Sequence, residues 1–231
     1  MPDDRQKAHA CLMIIAWMIF VPIAIVVARY MRFLFPTKKL CGSSVWLAVH
    51  RTLMLLVPVL SIAAFIVILA NLNWDWVKPS KTLHFIHSIF GIFAIFLSFF
   101  QVMLAYIRPR FTESARNIFV LIHRWVGILA LISATVAIFL GVCMPEMRLG
   151  TVGWGTMIGY VVYLILIPIP FELVYYFFYT KNGGVMSDRR KFWYEILSHL
   201  FYTIHTTAVM TFAINIIVLI AVGIETFGFK V

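Results

Sequence analysis

Charge is what this 231-residue chain has least of. Only 12% of its residues are Asp, Glu, Lys or Arg, about half the usual share of a soluble domain. So little charge excludes disorder, a coiled coil and an ordinary soluble domain. Long polar loops are missing too, which leaves no room for a soluble catalytic domain. The three cysteines show no metal-type spacing. There is no nucleotide-phosphate loop, no Ser–His–Asp signature and no internal repeat. What is present is apolar: 63% of residues are hydrophobic, and the mean hydropathy is +0.97. The chain reads as an all-α, multi-pass integral membrane protein, a single transmembrane domain over residues 1–231. Its net charge of +10 does not indicate nucleic acid, because the basic residues are scattered between apolar blocks.

A helix needs roughly 20 apolar residues to cross a bilayer core. Six stretches free of Asp, Glu, Lys and Arg qualify: Ala8–Ala28, Thr52–Trp74, Thr82–Ile107, Trp125–Pro145, Leu149–Phe171 and Ile196–Ile224. The second and fourth are expected to start earlier, near Val45 and Ile118, with Arg51 and Arg124 in their first turns. The blocks do not alternate in polarity, as the strands of a β-barrel would. Pro22, Pro58, Pro168 and Pro170 fall inside spans, and the last two are expected to bend the fifth helix. Trp74, Trp76, Trp154 and Tyr179 sit near span boundaries, where aromatic belts form.

The connections near residues 29–51, 108–124 and 181–191 hold five, four and four basic residues, 13 of the 19 in the chain. Rich and poor connections alternate, so the rich ones are expected in the cytoplasm and both termini outside it. The first span reads as a retained helix and not a cleaved signal peptide, because its leading flank is neutral and its trailing flank basic. The short N-terminus is expected to be either a minimal form or the end of a longer protein with an extracellular domain ahead of it.

Ionisable groups inside a membrane usually mark function. His9, His50, His87 and His123 each lie in the first turn or two of spans one to four. Consecutive helices run in opposite directions, so the four imidazoles fall into two layers, His9 with His87 outside and His50 with His123 inside. Facing imidazoles at one depth suit a planar metal macrocycle, and haem iron accepts axial His. Gly91 and Gly127 follow His87 and His123 at i+4 and clear volume on the same helix face. Met13 and Met54 hold that offset from His9 and His50. Without C-x-x-C-H, the haem would be b-type. The competing reading is four polar residues bonding between helices or lying at the interface. The paired-histidine arrangement of NADPH-oxidase-type reductases, about 13 residues apart on two helices, does not fit four histidines on four helices. His199 and His205 are six residues apart on the last helix and are assigned to packing or hydrogen bonding.

Arg51 and Arg124 follow the two inner histidines, where they could pair with haem propionates or attract an anionic reductant such as ascorbate. Signalling of topology is the simpler explanation, and the two are compatible. Lys38 and Lys39 add to this donor-side field. His84 and Lys81 stand on the acceptor side, His84 either competing with His87 as the ligand, touching an external substrate or simply solvated. Cys11 and Cys143 could pair only if their helices adjoin, and Cys41 is expected to be cytoplasmic and reduced. A transporter would want intramembrane acidic groups, yet Glu172 and Glu195 both fall at inner span ends.

The runs A-H-A-C-L-M-I-I-A-W (8–17), W-L-A-V-H-R-T-L-M (46–54), H-S-I-F-G-I-F-A-I-F-L-S-F-F-Q (87–101, with Arg108-Pro109 after it) and I-H-R-W-V-G with A-I-F-L-G (122–127, 137–141) resemble the four core helices of the cytochrome b561 superfamily. The chain is most similar to its ferric-chelate reductase 1 (stromal cell-derived receptor 2) type, whose reeler and DOMON domains are not in this sequence. The resemblance covers roughly residues 7–142. It implies a four-helix dihaem core (helices one to four) with two peripheral helices over residues 149–224. It also implies two haem b groups on the pairs His9/His87 and His50/His123, the pairing that depth gives independently. The implied activity is one-electron transfer from a cytoplasmic reductant, ascorbate in several relatives, to an outer acceptor such as ferric iron or monodehydroascorbate. The segment V-V-A-R-Y (26–30) departs from the L-L-V-Y-R-like segment of ascorbate-dependent members. The alternative is a haem-bearing subunit or scaffold with no reductase activity of its own. Expected partners are the bilayer, the small reductant and a ferric chelate or similar acceptor, with homodimerisation left open.

Overall fold

The computed structural model describes residues 2–32, 34, 37–109, 114–178 and 187–223. Arg110, Tyr179, Lys181 and Ile224, which entered the readings above, lie outside the described residues. Among the described residues, six helices are long and apolar enough to cross a membrane: α1 (Asp4–Tyr30), α2 (Val45–Asn71), α3 (Thr82–Tyr106), α4 (Ala115–Val142), α5 (Gly150–Phe178) and α6 (Asp188–Val222). A two-stranded hairpin, β1 (Lys39–Leu40) and β2 (Ser43–Ser44), precedes α2. Its turn residues Cys41 and Gly42 both have positive φ, 49° and 75°, the backbone of a two-residue hairpin turn.

Helix ends differ from the apolar runs because polar residues cap and extend helices into water. Asp3 caps α1, accepting from Gln6 N–H at 2.8 Å while the Gln6 side chain takes the Asp3 N–H, so α1 starts one turn before Ala8. The sixth helix begins at Asp188, well ahead of Ile196, because Asp188–Lys191 are good helix residues that a charge-free search discards. The fifth helix breaks at Ile167, and Pro168 starts its second half. Pro168 has no N–H to continue the ladder.

α1 packs along α2, and α3 along α4. Contacts of α2 with α3 and of α1 with α4 close the two hairpins into a four-helix bundle. α6 lies against α1 and α5, with α5 also touching α4, so the last two helices flank the bundle. Small residues let the core helices approach: Ala16, Ala94, Ala130 and Ala134 are buried together around Trp17. α1 has neighbours on both sides, packing Ile14, Met18, Ile23 and Val27 against Met157, Val209, Ala213 and Ile216. Large apolar side chains such as Val59, Phe96 and Ile165 remain exposed, which suits a surface facing lipid.

Inside α1 the stretch Ile15–Phe20 is π-helical. It ends just before Pro22, whose ring cannot donate to Met18 O four residues back. The buried Tyr160 hydroxyl of α5 donates to that carbonyl at 3.5 Å, so a neighbouring helix satisfies the freed group.

Candidate functional site

The structure brings the four histidines together in two pairs. The ring centres of His9 and His87 are 6.1 Å apart, and those of His50 and His123 are 6.3 Å apart. Each pair joins the α1–α2 hairpin to the α3–α4 hairpin. Fourteen residues of α2 separate His50 from Ala64, whose carbonyl holds His9, so the layers are ~21 Å apart along the helices at 1.5 Å per residue.

Three of the four rings have a fixed tautomer. His9 Nδ1–H donates to Ala64 O at 2.9 Å, His50 Nδ1–H to Ala24 O at 3.0 Å, and His87 Nδ1–H to Ala137 O at 2.8 Å. A carbonyl can only accept, so the proton sits on Nδ1 and Nε2 keeps its lone pair. That is the state a metal-binding imidazole needs, with the other nitrogen oriented by a carbonyl. Two metal–imidazole bonds of about 2 Å, with the step from nitrogen to ring centre at each side, span about 6 Å. Both pairs therefore fit two axial ligands on one iron. Among the described residues no three His, Cys, Asp or Glu gather as a metal site, which leaves pairwise ligation as the arrangement available to a macrocycle.

Beside His9 and His87 lies a cavity whose lining is almost wholly apolar, including Met13, Trp17, Phe65, Gly91 and Ala134. A Cβ on Gly91 would meet nothing within 4 Å, so the space beside this glycine is open. Gly141, which the sequence reading did not single out, stands against His87. A Cβ there would come within 3.2 Å of the ring. At the cavity mouth His84 Nε2 is 3.3 Å from Glu146 Oε2. Lys81 is exposed at the N-cap of α3.

The other layer is built differently. Phe119 stacks on His123, ring centres 5.5 Å apart, and the Arg116 guanidinium lies 5.1 Å over the Phe119 ring. Arg108 acts electrostatically on both His50 and His123. Burial and the charges of Arg116 and Arg51 pull the Arg108 pKa below its ordinary value. Arg108 and Arg116 thus act on this pair and Arg51 acts on Arg108, while Arg124 is exposed and its charge acts on Glu172. Gly127 faces the Gln101 amide, which a Cβ would meet at 3.2 Å, and not open volume. Lys38 and Lys39 are exposed beside the hairpin that leads into α2.

The remaining candidates take structural places. Glu172 accepts from Arg29 at 3.1 and 3.2 Å and from the Tyr30 hydroxyl at 2.7 Å, tying α1 to α5 after the proline break. His199 Nδ1–H donates to Glu195 O, and His205 Nδ1 bonds the Tyr163 hydroxyl at 3.0 Å. Cys11, Cys41 and Cys143 are all free.

These features agree with the comparisons. A family model described as eukaryotic cytochrome b561 matches residues 8–147, the stretch holding all four paired histidines. The chain is 32% identical over 186 residues to ferric-chelate reductase 1 of Bos taurus. It is 32% identical over 184 residues to putative ferric-chelate reductase 1 of Xenopus laevis. Over 183 residues it is 30% identical to a putative ferric-chelate reductase 1 homolog of Drosophila melanogaster. Each alignment covers 79% of this chain but only 26–30% of the relative, so the chain spans less than a third of the length of the relatives it matches. No solved structure matches. With the family model spanning more than half of its length, the chain belongs to the eukaryotic cytochrome b561 family.

Proposed function

We propose that the protein passes single electrons across the membrane, with one haem b held by His9 and His87 and a second by His50 and His123. The donor is a cytoplasmic reductant such as ascorbate, and the acceptor an extracytoplasmic one such as a ferric chelate or monodehydroascorbate. Haem b, when bound, supplies an iron that changes oxidation state by one electron. The observation that carries this reading is the pair of facing imidazoles in each layer, 6.1 and 6.3 Å apart.

The residues of the chain contribute orientation, dryness and charge. The Nδ1–H bonds to Ala64, Ala24 and Ala137 hold three rings and make them better donors. Apolar side chains exclude water from the His9 layer. In the orientation expected from the basic residues, the His50 layer faces the cytoplasm. There Arg51, Arg108 and Arg116, with Lys38 and Lys39 beyond them, attract an anionic reductant. At the opposite end His84 and Glu146, with Lys81 nearby, meet the acceptor. With the two histidines of each pair holding a haem, the iron would have no place left for a substrate, and substrates would meet the protein surface.

A reduced-minus-oxidised spectrum tests this. Purified protein should show sharp b-type α bands and two haems per chain, partly reduced by ascorbate and fully by dithionite. A folded preparation, made with ample iron and porphyrin yet colourless, overturns the reading. The small share of the relatives' length covered here favours a second reading, a haem-bearing module whose acceptor chemistry belongs to other domains. Liposomes loaded with ascorbate and given external ferric chelate separate the two. Ferrous product formed by this chain alone supports the first. Reduced haem without ferrous product supports the second.

A further inference from the structure

Three of the paired histidines obey one rule, and the fourth breaks it. His9, His50 and His87 each bond the carbonyl of an alanine on the neighbouring helix. Those alanines keep a fixed distance from the histidine of their own helix. Ala64 is 14 residues after His50, Ala137 is 14 after His123, and Ala24 is 15 after His9. The extra residue in α1 is taken up by its π-helical stretch, because a π turn closes from i to i+5. On α3 the same register, 14 residues after His87, falls on Gln101.

Here a side chain does the reaching. Gln101 Nε2 donates to the backbone carbonyl of His123 at 2.6 Å, in space that Gly127 leaves open. Two complementary groups remain, Gln101 Oε1 and His123 Nδ1, both buried and both without a hydrogen-bond partner. Unpaired polar atoms in an apolar interior are costly, and each needs a reason.

We propose that Gln101 is the positioning residue of His123: with haem bound, its amide oxygen accepts the His123 Nδ1–H, the role a backbone carbonyl plays for the other three histidines. This rests on the reading that His50 and His123 hold a haem. Nδ1–H hydrogen bonding makes an imidazole a stronger donor and favours ferric over ferrous iron. A backbone carbonyl is the same in every variant, whereas a side chain can be exchanged. The inner haem is therefore the one whose potential a single substitution resets through this bond.

The test is a spectroscopic potential titration of the full, haem-loaded chain as wild type, Gln101→Leu and Gln101→Glu. Loss of a component in His50→Ala identifies the inner haem. Leu has similar bulk and no acceptor. It should shift the inner ferric–ferrous equilibrium about tenfold toward ferrous, ~59 mV for one electron, and leave the outer haem in place. Glu keeps an oxygen and should hold the inner midpoint at or below that of wild type. An unmoved midpoint in Gln101→Leu, equal movement of both haems, or a rise in Gln101→Glu would overturn the proposal. If the Leu variant loses its inner haem, Gln101→Met, of similar length and without an amide, takes its place and should show the same shift. Wild type without haem sinks the dihaem reading. Two haems indifferent to residue 101 sink only the role of Gln101.

Discussion

The two histidine layers share a ring separation and differ in almost everything around it. The His9–His87 layer is dry: an apolar cavity, two backbone-anchored rings and a single His84–Glu146 pair at its mouth. The His50–His123 layer is polar and crowded, with Phe119 stacked on one ring, two arginines acting on the pair and Gln101 donating to the His123 carbonyl. One bundle thus gives the same ligand pair two environments. Field, burial and hydrogen bonding are the levers that tune a bound haem once its axial ligands are equal.

Removing a ligand should break the comparison most completely. His50→Ala and His87→Ala are each expected to halve the haem-to-protein ratio and spare the other centre. Loss of both haems from either variant would show that the layers are not independent. Next in size is Gly141→Leu, which drives a side chain into the His87 ring. It should empty or distort the His9–His87 site alone, seen as loss of one α-band component. Gly127→Ala meets only the end of a flexible glutamine and should leave haem content unchanged.

Arg108→Ala combined with Arg116→Ala sharpens the electrostatic contrast. The double variant should be reduced by ascorbate about tenfold more slowly at low salt, a gap that narrows as salt rises. Its reoxidation by ferric chelate should match wild type. Equal rates at low salt would remove those arginines from the donor side. The smallest effect is expected between α1 and α2, where Trp17 Nε1–H donates to the buried Ser61 hydroxyl at 3.0 Å. Trp17→Phe should cost about 1 kcal/mol of stability, read as a lower Tm in detergent with both haems retained.

The six spans and the two histidine layers were legible because they follow from composition and helix direction alone. Apolar length fixes how many times the chain crosses, and alternating direction fixes which histidines share a depth. The neighbours of those histidines were not legible. Arg108 and Arg116 stand at the two ends of the connection between α3 and α4, and nothing in the sequence says that both act on His123. Arg51 and Arg124 were read together because each follows a histidine. In the structure Arg51 acts on Arg108, and Arg124 on Glu172. Gly127 was read as room for a porphyrin edge, yet Gln101 stands beside it. The alanines at Ala24, Ala64 and Ala137 were a usable signal, since each stands at a set distance from a histidine, but only a register that includes the π-helical stretch of α1 makes them comparable.

By itself, the sequence determined that the chain lives in a membrane, crosses it six times and carries imidazoles at two depths, because water, lipid and helix pitch act on residues one segment at a time. Tertiary packing decided which carbonyl holds each of three rings, which arginines act on the second pair and that Gln101 reaches the His123 carbonyl. Those outcomes depend on how far each helix is rotated and slid against its neighbour, a property of pairs of helices that no single stretch of residues contains.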